Sequence, residues 1–260
     1  MDATLAMIKT LREQTGVGIM DCKAALKASD SLDDAVRYLR EKGLAKAVKK
    51  ADRDATSGAV FISLSDDATS GAIIQLRCET DFVAKNSVFQ AFGQSLAEAL
   101  LTQETPDLIL LDGQNLETAI AAIVSQTGES VSIAHYARIH APHVSGYSHL
   151  NGNMAAIIGL SKPLDAARSL AMQVVASNPA YAYPEDVPEA VLTHEKSILR
   201  EQAVQAGKPE KVIDQIVSGM INKYYEEQCL ANQVYIKDPD IKISALLGDT
   251  KVIEFKRFSV

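Results

Sequence analysis

The chain has 260 residues, 47% of them hydrophobic and 23% charged, and it carries a net charge of −7 at pH 7. That length builds one large or two modest domains of an ordinary soluble protein, and no run approaches the about eighteen apolar residues of a membrane span. The acidic balance argues against a general nucleic-acid binder, which needs a dominant basic face, and Met1-Asp2-Ala3-Thr4 lacks the basic-then-apolar order of a signal peptide.

The first apolar period covers residues 4–43. Leu5, Ile8 and Leu11, with Met7 beside them, predict an amphipathic helix closed by Thr15-Gly16-Val17-Gly18. Ile19, Cys22 and Leu26 predict a second helix over residues 19–28. Ser29-Asp30-Ser31 is turn and N-cap chemistry. It opens a third helix through Leu32, Ala35, Val36 and Leu39, with Gly43 at the C′ position. Residues 46–57 are polar, without an apolar period beyond their alanines, and read as a linker. The cations Arg37, Arg40, Lys42, Lys46, Lys49, Lys50 and Arg53 read as a solvated helix end running into that linker. Only Tyr38 interleaves them, which is too little aromatic surface for a nucleic-acid strand.

From Gly58 the period changes to two. Residues 59–64 and 72–78 predict strands around the turn residues 65–71, and helices follow over 87–102, through Phe89, Phe92, Leu96 and Leu100, and over 116–125. The second half repeats the scheme, with strands over 131–140, 147–150 and 154–160 and a helix over 164–177. Ala72-Ile73-Ile74-Gln75-Leu76 leading into a helix is echoed by Ala156-Ile157-Ile158-Gly159-Leu160. The expected fold class is α+β, with two related sheet-plus-helix subdomains.

Asn178-Pro179, Pro184 and Pro188 mark a break. Beyond it, Val212, Ile216, Met220 and Tyr224 form one row on a helix starting near Pro209, and Ile213, Val217, Ile221 and Tyr225 form the next. A helix over 188–206 precedes it, and Gly207-Lys208-Pro209 folds the pair back antiparallel. The broad stripe against a thinner one leaves apolar surface, and with it room for homodimerisation through this hairpin. Residues 252–258 alternate as a strand that closes the second sheet. The expected boundaries are a helical domain at 1–45, a linker at 46–57, and core subdomains at 58–140 and at 141–183 with 228–260. The inserted hairpin occupies 184–227.

Few residues suggest chemistry. Gly16-Val17-Gly18 lacks the third glycine and the preceding strand of a dinucleotide fingerprint. His135, His140, His143 and His149 fit no common zinc spacing, so no metal is expected. Cys22, Cys78 and Cys229 are scattered without CxxC spacing and read as reduced cytosolic thiols, Cys78 as a buried structural one. Asp81-Phe82 stands out, because a carboxylate and an aromatic follow an apolar strand where a loop can reach into a partner. No base or nucleophile relay accompanies them, which suits a wedge. An N-cap Asp with a core Phe behind it is the plain structural alternative, and spacing alone leaves both open.

Cys78-Glu79-Thr80-Asp81-Phe82-Val83-Ala84-Lys85-Asn86 closely resembles a signature of the elongation factor Ts family. Thr15-Gly16-Val17-Gly18-Ile19-Met20-Asp21-Cys22-Lys23, followed by Leu39-Arg40-Glu41-Lys42-Gly43, resembles that family's N-terminal signature. Ala176-Ser177-Asn178-Pro179, Glu185-Asp186-Val187-Pro188, Gly207-Lys208-Pro209 and Lys237-Asp238-Pro239 recur in similar order, so the resemblance covers essentially the whole chain. It implies a cytoplasmic guanine nucleotide exchange factor of the GTPase elongation factor Tu, acting in translation elongation without covalent chemistry or a cofactor. The three N-terminal helices resemble a ubiquitin-associated-like domain.

By the same resemblance, Thr80, Asp81, Phe82 and Val83 would intrude beside the GTPase's magnesium site and displace the ion. Arg12, Ile19 and Met20 would dock on its GTP-binding domain, and Thr127-Gly128 would approach the phosphate-binding region. His149 and Ile236-Lys237 would meet a more distal domain. Gln233-Val234-Tyr235 departs from the family's Gln-Pro-Phe, Gln173 stands where members often carry His, and the chain stops at Val260 without the extension of the longest members. The alternative function is a non-catalytic adaptor whose N-terminal helices bind another protein.

Overall fold

The computed structural model describes residues 3–50, 53–103, 105, 109–111 and 113–260. Thr4 caps α1 (Leu5–Thr15) by accepting a hydrogen bond from Met7 N, and α2 (Ile19–Ala28) and α3 (Leu32–Lys50) follow. Leu11, Val17, Cys22, Ala25, Leu26, Ala35 and Leu39 close a small core of their own among these helices.

The chain then forms the hairpin β1 (Ser57–Leu64) and β2 (Ser70–Cys78), the short turn α4 (Asp81–Ala84) and α5 (Ser87–Leu100). A two-residue ladder, β3 (Leu110–Leu111) with β4 (Gln114–Asn115), leads into α6 (Leu116–Thr127), and β5 (Val131–His140) returns to pair with β2. The sheet order is β1-β2-β5, antiparallel throughout, with Ile74 opposite both Phe61 and Tyr136.

The second half uses the same plan. A hairpin of β6 (His143–His149) and β7 (Met154–Leu160) is followed by α7 (Ala167–Ser177). The strand expected to begin at Tyr147 therefore begins at His143. After the long helices α8 (Glu189–Gln205) and α9 (Glu210–Gln228) come β8 (Val234–Tyr235), β9 (Asp238–Lys242) and α10 (Ile243–Leu247). Finally β10 (Val252–Ser259) pairs with β7, so the order β6-β7-β10 repeats hairpin first, returning strand on the middle one.

The two sheets stack face to face. Val60, Ile73, Ile139, Val144, Ala155 and Ile157 form the apolar layer between them. On one outer face Phe61, Ile74 and Leu76 cluster with Phe89 and Leu96 of α5, and on the other Ile158 and Leu160 cluster with Leu170 and Val174 of α7. The middle strands β2 and β7 are thus covered on both faces. That explains why they read as unbroken apolar runs instead of an alternation.

Two expectations about α3 are corrected. Gly43 does not end the helix, which continues to Lys50, so the segment read as a linker from residue 46 is helical at its start. A Cβ on Gly43 would lie 2.7 Å from Ser125 Oγ and 3.3 Å from the Ala121 carbonyl oxygen of α6. Glycine serves here as a close helix crossing rather than a stop, and Ala47, one turn on, packs against the core of the first sheet.

The α8–α9 hairpin joins the second half at a stitched neck. Ala180 N and Tyr181 N both donate to Gln228 O at 3.0 Å, and Leu230 N donates to Tyr181 O at 2.9 Å. Leu199, Ala203, Ile213 and Ile221 are buried, while Val212 is exposed and the rest of the apolar rows are half-buried. Among the described residues, no helix is long and apolar enough to cross a membrane.

Candidate functional site

The pairing of β2 with β5 sets Cys78 opposite Val131, which brings the chain after β2 alongside the chain after α6. Gly128, at φ +78°, ends α6 in the left-handed region, donates its N–H to Val124 O and turns the chain towards β5. The two segments then exchange carboxylates. Glu79 accepts from Ser130 N at 2.8 Å, and the Glu129 carboxylate accepts from Thr80 N at 2.9 Å and from Thr80 Oγ at 2.6 Å. The Ser130 N–H is the main reason that Glu79 is held below the usual glutamate range. Lys50 Nζ donates to Gly128 O, and Arg53 reaches Glu79 at 3.4 Å.

On this base Thr80 caps α4, its hydroxyl accepting from Val83 N at 3.4 Å. Val83 and Ala84 turn into the core of the first sheet, so Asp81 and Phe82 face outward. Phe82 is 83% exposed. Asp81 pairs with Lys85 at 2.7 Å, and the Lys85 hydrogen bond lowers its pKa from the usual aspartate value. The plain alternative for this pair is therefore overturned in both halves: the cap is Thr80, and the aromatic ring is not in the core. Cys78, behind the turn, is a buried thiol pushed up to about 11, chiefly by burial. It is protonated at neutral pH and suits a structural role rather than nucleophilic chemistry.

The N-terminal helices present an apolar surface of their own. Ile19 and Met20, 53% and 75% exposed, stand at the start of α2, and Arg12 is exposed on α1. Asp21, the next residue, lies between Lys46 at 2.8 Å and Lys42 at 3.0 Å, whose hydrogen bonds lower its pKa. These pairs fix α2 on α3. Gln126 Nε2 donates to Thr15 O at 3.0 Å, so the end of α1 is tied to the turn that carries Thr127 and Gly128.

His149 and Ile236-Lys237 belong to the other half of the molecule. His149 ends β6 and shares a 3.0 Å hydrogen bond between its Nδ1 and Tyr147 Oη. Ile236 is exposed, and its N–H donates to Gln173 Oε1 at 2.9 Å, while Lys237 Nζ donates to Ser169 Oγ at 2.8 Å. Gln173 Nε2 also serves Gln233 Oε1 at 3.0 Å and Val234 O at 3.1 Å. Gln173 and the segment from Gln233 to Ile236 thus meet in one hydrogen-bonded network that orients the β8–β9 arm. Two further histidines have partners of their own: His140 meets Ser70 and Arg138, and His135 lies against Phe258.

Sequence reasoning missed Glu129, Lys50 and Arg53 as supports of the Thr80–Val83 turn. Glu129 lies 49 residues from Thr80, and only the β2–β5 pairing joins them. The nearest signal in the sequence was its place directly after Thr127-Gly128.

Residues 79–260 match the family model described as Elongation factor TS. Elongation factor Ts of Teredinibacter turnerae is 36% identical over 267 residues, covering 100% of this chain and 91% of that protein. Elongation factor Ts of Deinococcus deserti is 38% identical over 260 residues, with 97% and 98% covered, and that of Chlorobaculum parvum is 39% identical, with 93% and 90% covered. With similarity of this degree along its whole length, the chain belongs to the elongation factor Ts family.

Proposed function

We propose that the chain is a guanine nucleotide exchange factor of translation elongation, acting in the cytoplasm, which binds elongation factor Tu and promotes GDP release by displacing its magnesium ion. The observation that carries this reading is Phe82, an aromatic ring left 83% exposed on a turn held by Glu129 at Thr80 on one side and by buried Val83 on the other. Large apolar side chains held out in this way are typical anchors of protein interfaces. The names of the relatives support the same reading.

The three N-terminal helices, in a ubiquitin-associated-like arrangement, dock first through Arg12, Ile19 and Met20. Docking sets Thr80–Val83 against the magnesium site, where Phe82 fills a pocket and the Asp81 carboxylate perturbs the coordination of the ion. Thr127 and Gly128 approach the phosphate-binding region, and His149 with Ile236-Lys237 grips a second domain of the GTPase. The Asp81–Lys85 pair is solvent-exposed, so turning Asp81 towards the ion costs little. Losing Mg²⁺ leaves the phosphate charge of GDP uncompensated. A factor that binds the nucleotide-free state more tightly must, by linkage, weaken nucleotide binding, and no covalent step is needed.

The test is release of a fluorescent GDP analogue from purified elongation factor Tu, with and without the chain, across magnesium concentrations. The expected result is acceleration in magnesium that shrinks when a chelator removes the ion, because the displaced state is then reached without the factor. No acceleration, or an undiminished stimulation in chelator, would overturn the reading.

A further inference from the structure

We propose that Glu129 is the positioning residue of the wedge: its carboxylate grips Thr80 at two atoms and so sets the direction in which Asp81 and Phe82 project. The inference rests on the exchange-factor reading above and adds to it a residue that acts through Thr80. Asp81 and Phe82 are exposed, and the Asp81 carboxylate pairs with the exposed Lys85 at the end of the same short turn. Their direction is therefore fixed by the backbone on either side. Downstream, Val83 and Ala84 are buried in the core. Upstream, the anchor is Thr80, whose N–H and hydroxyl both donate to Glu129 at 2.9 and 2.6 Å.

Two bonds from one carboxylate to one residue restrain rotation as well as position. Glu129 is itself braced. It follows the left-handed Gly128, whose carbonyl accepts from Lys50, and precedes Ser130, whose N–H is held by Glu79. The reciprocal exchange, Glu79 to the second segment and Glu129 to the first, makes the two strands of chain one unit. A wedge ordered before it meets its pocket avoids the cost of ordering there. Removing the grip should slow insertion of the wedge without weakening docking through the α1–α2 surface, which has a core of its own.

The experiment compares Glu129→Ala and Glu129→Gln with the wild-type full chain. The first readout is amide hydrogen exchange of the free chain, which needs no GTPase. The second is GDP release from elongation factor Tu over a range of chain concentrations. Glu129→Ala should speed exchange over residues 79–86 while leaving the sheets protected. It should lower the maximal stimulated rate about tenfold, the factor that about 1.4 kcal/mol corresponds to, with the half-saturating concentration held within about twofold. Glu129→Gln should stay close to wild type, because its amide oxygen still accepts from Thr80 N–H and its amide nitrogen donates to Thr80 Oγ.

Unchanged exchange at residues 79–86 in Glu129→Ala would overturn the grip, and so would a Glu129→Gln variant as slow as Glu129→Ala, since charge would then be what matters. If Glu129→Ala does not fold, Glu129→Asp, whose carboxylate is one methylene short of reaching both Thr80 atoms, must show the same local exchange and the same direction of change in maximal rate. A wild-type chain that fails to accelerate release would overturn the exchange-factor reading, whereas the amide exchange decides the grip on its own.

Discussion

Phe82 is the residue on which the proposed function turns, and its exposure separates two effects that are usually entangled. Truncating a core phenylalanine costs several kcal/mol of stability, whereas surface substitutions stay within about 0.5 kcal/mol. At 83% exposure Phe82 is in the second class. Phe82→Ala should therefore melt with the wild type, yet lose roughly 2 kcal/mol of interaction in the displaced-ion state, as a hot-spot aromatic does. Stimulated GDP release should then fall by about thirtyfold, at about tenfold per 1.4 kcal/mol. Thermal melting beside fluorescent-GDP release checks both halves, and release at the wild-type rate would remove Phe82 from the wedge.

Among the elements, α3 differs most from its sequence reading. It carries one face in the N-terminal core, through Ala35 and Leu39, and then crosses α6 at Gly43. The absent side chain lets the two backbones approach. Gly43→Val would put carbon where Ser125 Oγ and the Ala121 carbonyl already stand. The expected cost is about 1–3 kcal/mol of overpacking, read in denaturant unfolding. Faster amide exchange should appear in α3 and α6, with β1, β2 and β7 still protected. Wild-type stability would mean that the crossing has room to spare. Next to this crossing, Gln126 holds Thr15 O and Lys50 holds Gly128 O, so α6 and the end of α3 meet the end of α1 and the turn that leads to Glu129.

In the whole molecule, the buried residues of the sheet clusters all lie beyond residue 58, and the N-terminal helices close a separate core. Contacts across the boundary include Ala47 on the first core and the bonds of Gln126 and Lys50. Deleting residues 1–50 should thus leave a cooperatively folded pair of sheets with weak exchange activity, since docking is lost while Thr80–Val83 remains. Calorimetry and GDP release check the two statements. A deletion that does not fold would show that the helices and sheets form one cooperative unit.

The α+β class, the helical N-terminus, the repeated hairpin-and-helix plan and the α8–α9 hairpin were legible in the sequence, because periods of 3.6 and 2 report which faces are buried. Asp81 and Phe82 were legible as candidates. Whether they pointed inward was not, since an exposed aromatic and a core aromatic have the same local sequence. Three features depend on contacts between distant segments and were decided only by the tertiary structure. The two sheets stack so that β2 and β7 are covered on both faces, Gly43 is a helix crossing, and Glu129 meets Thr80 across the β2–β5 pairing. A local period shows that a face is buried, and it cannot say against what.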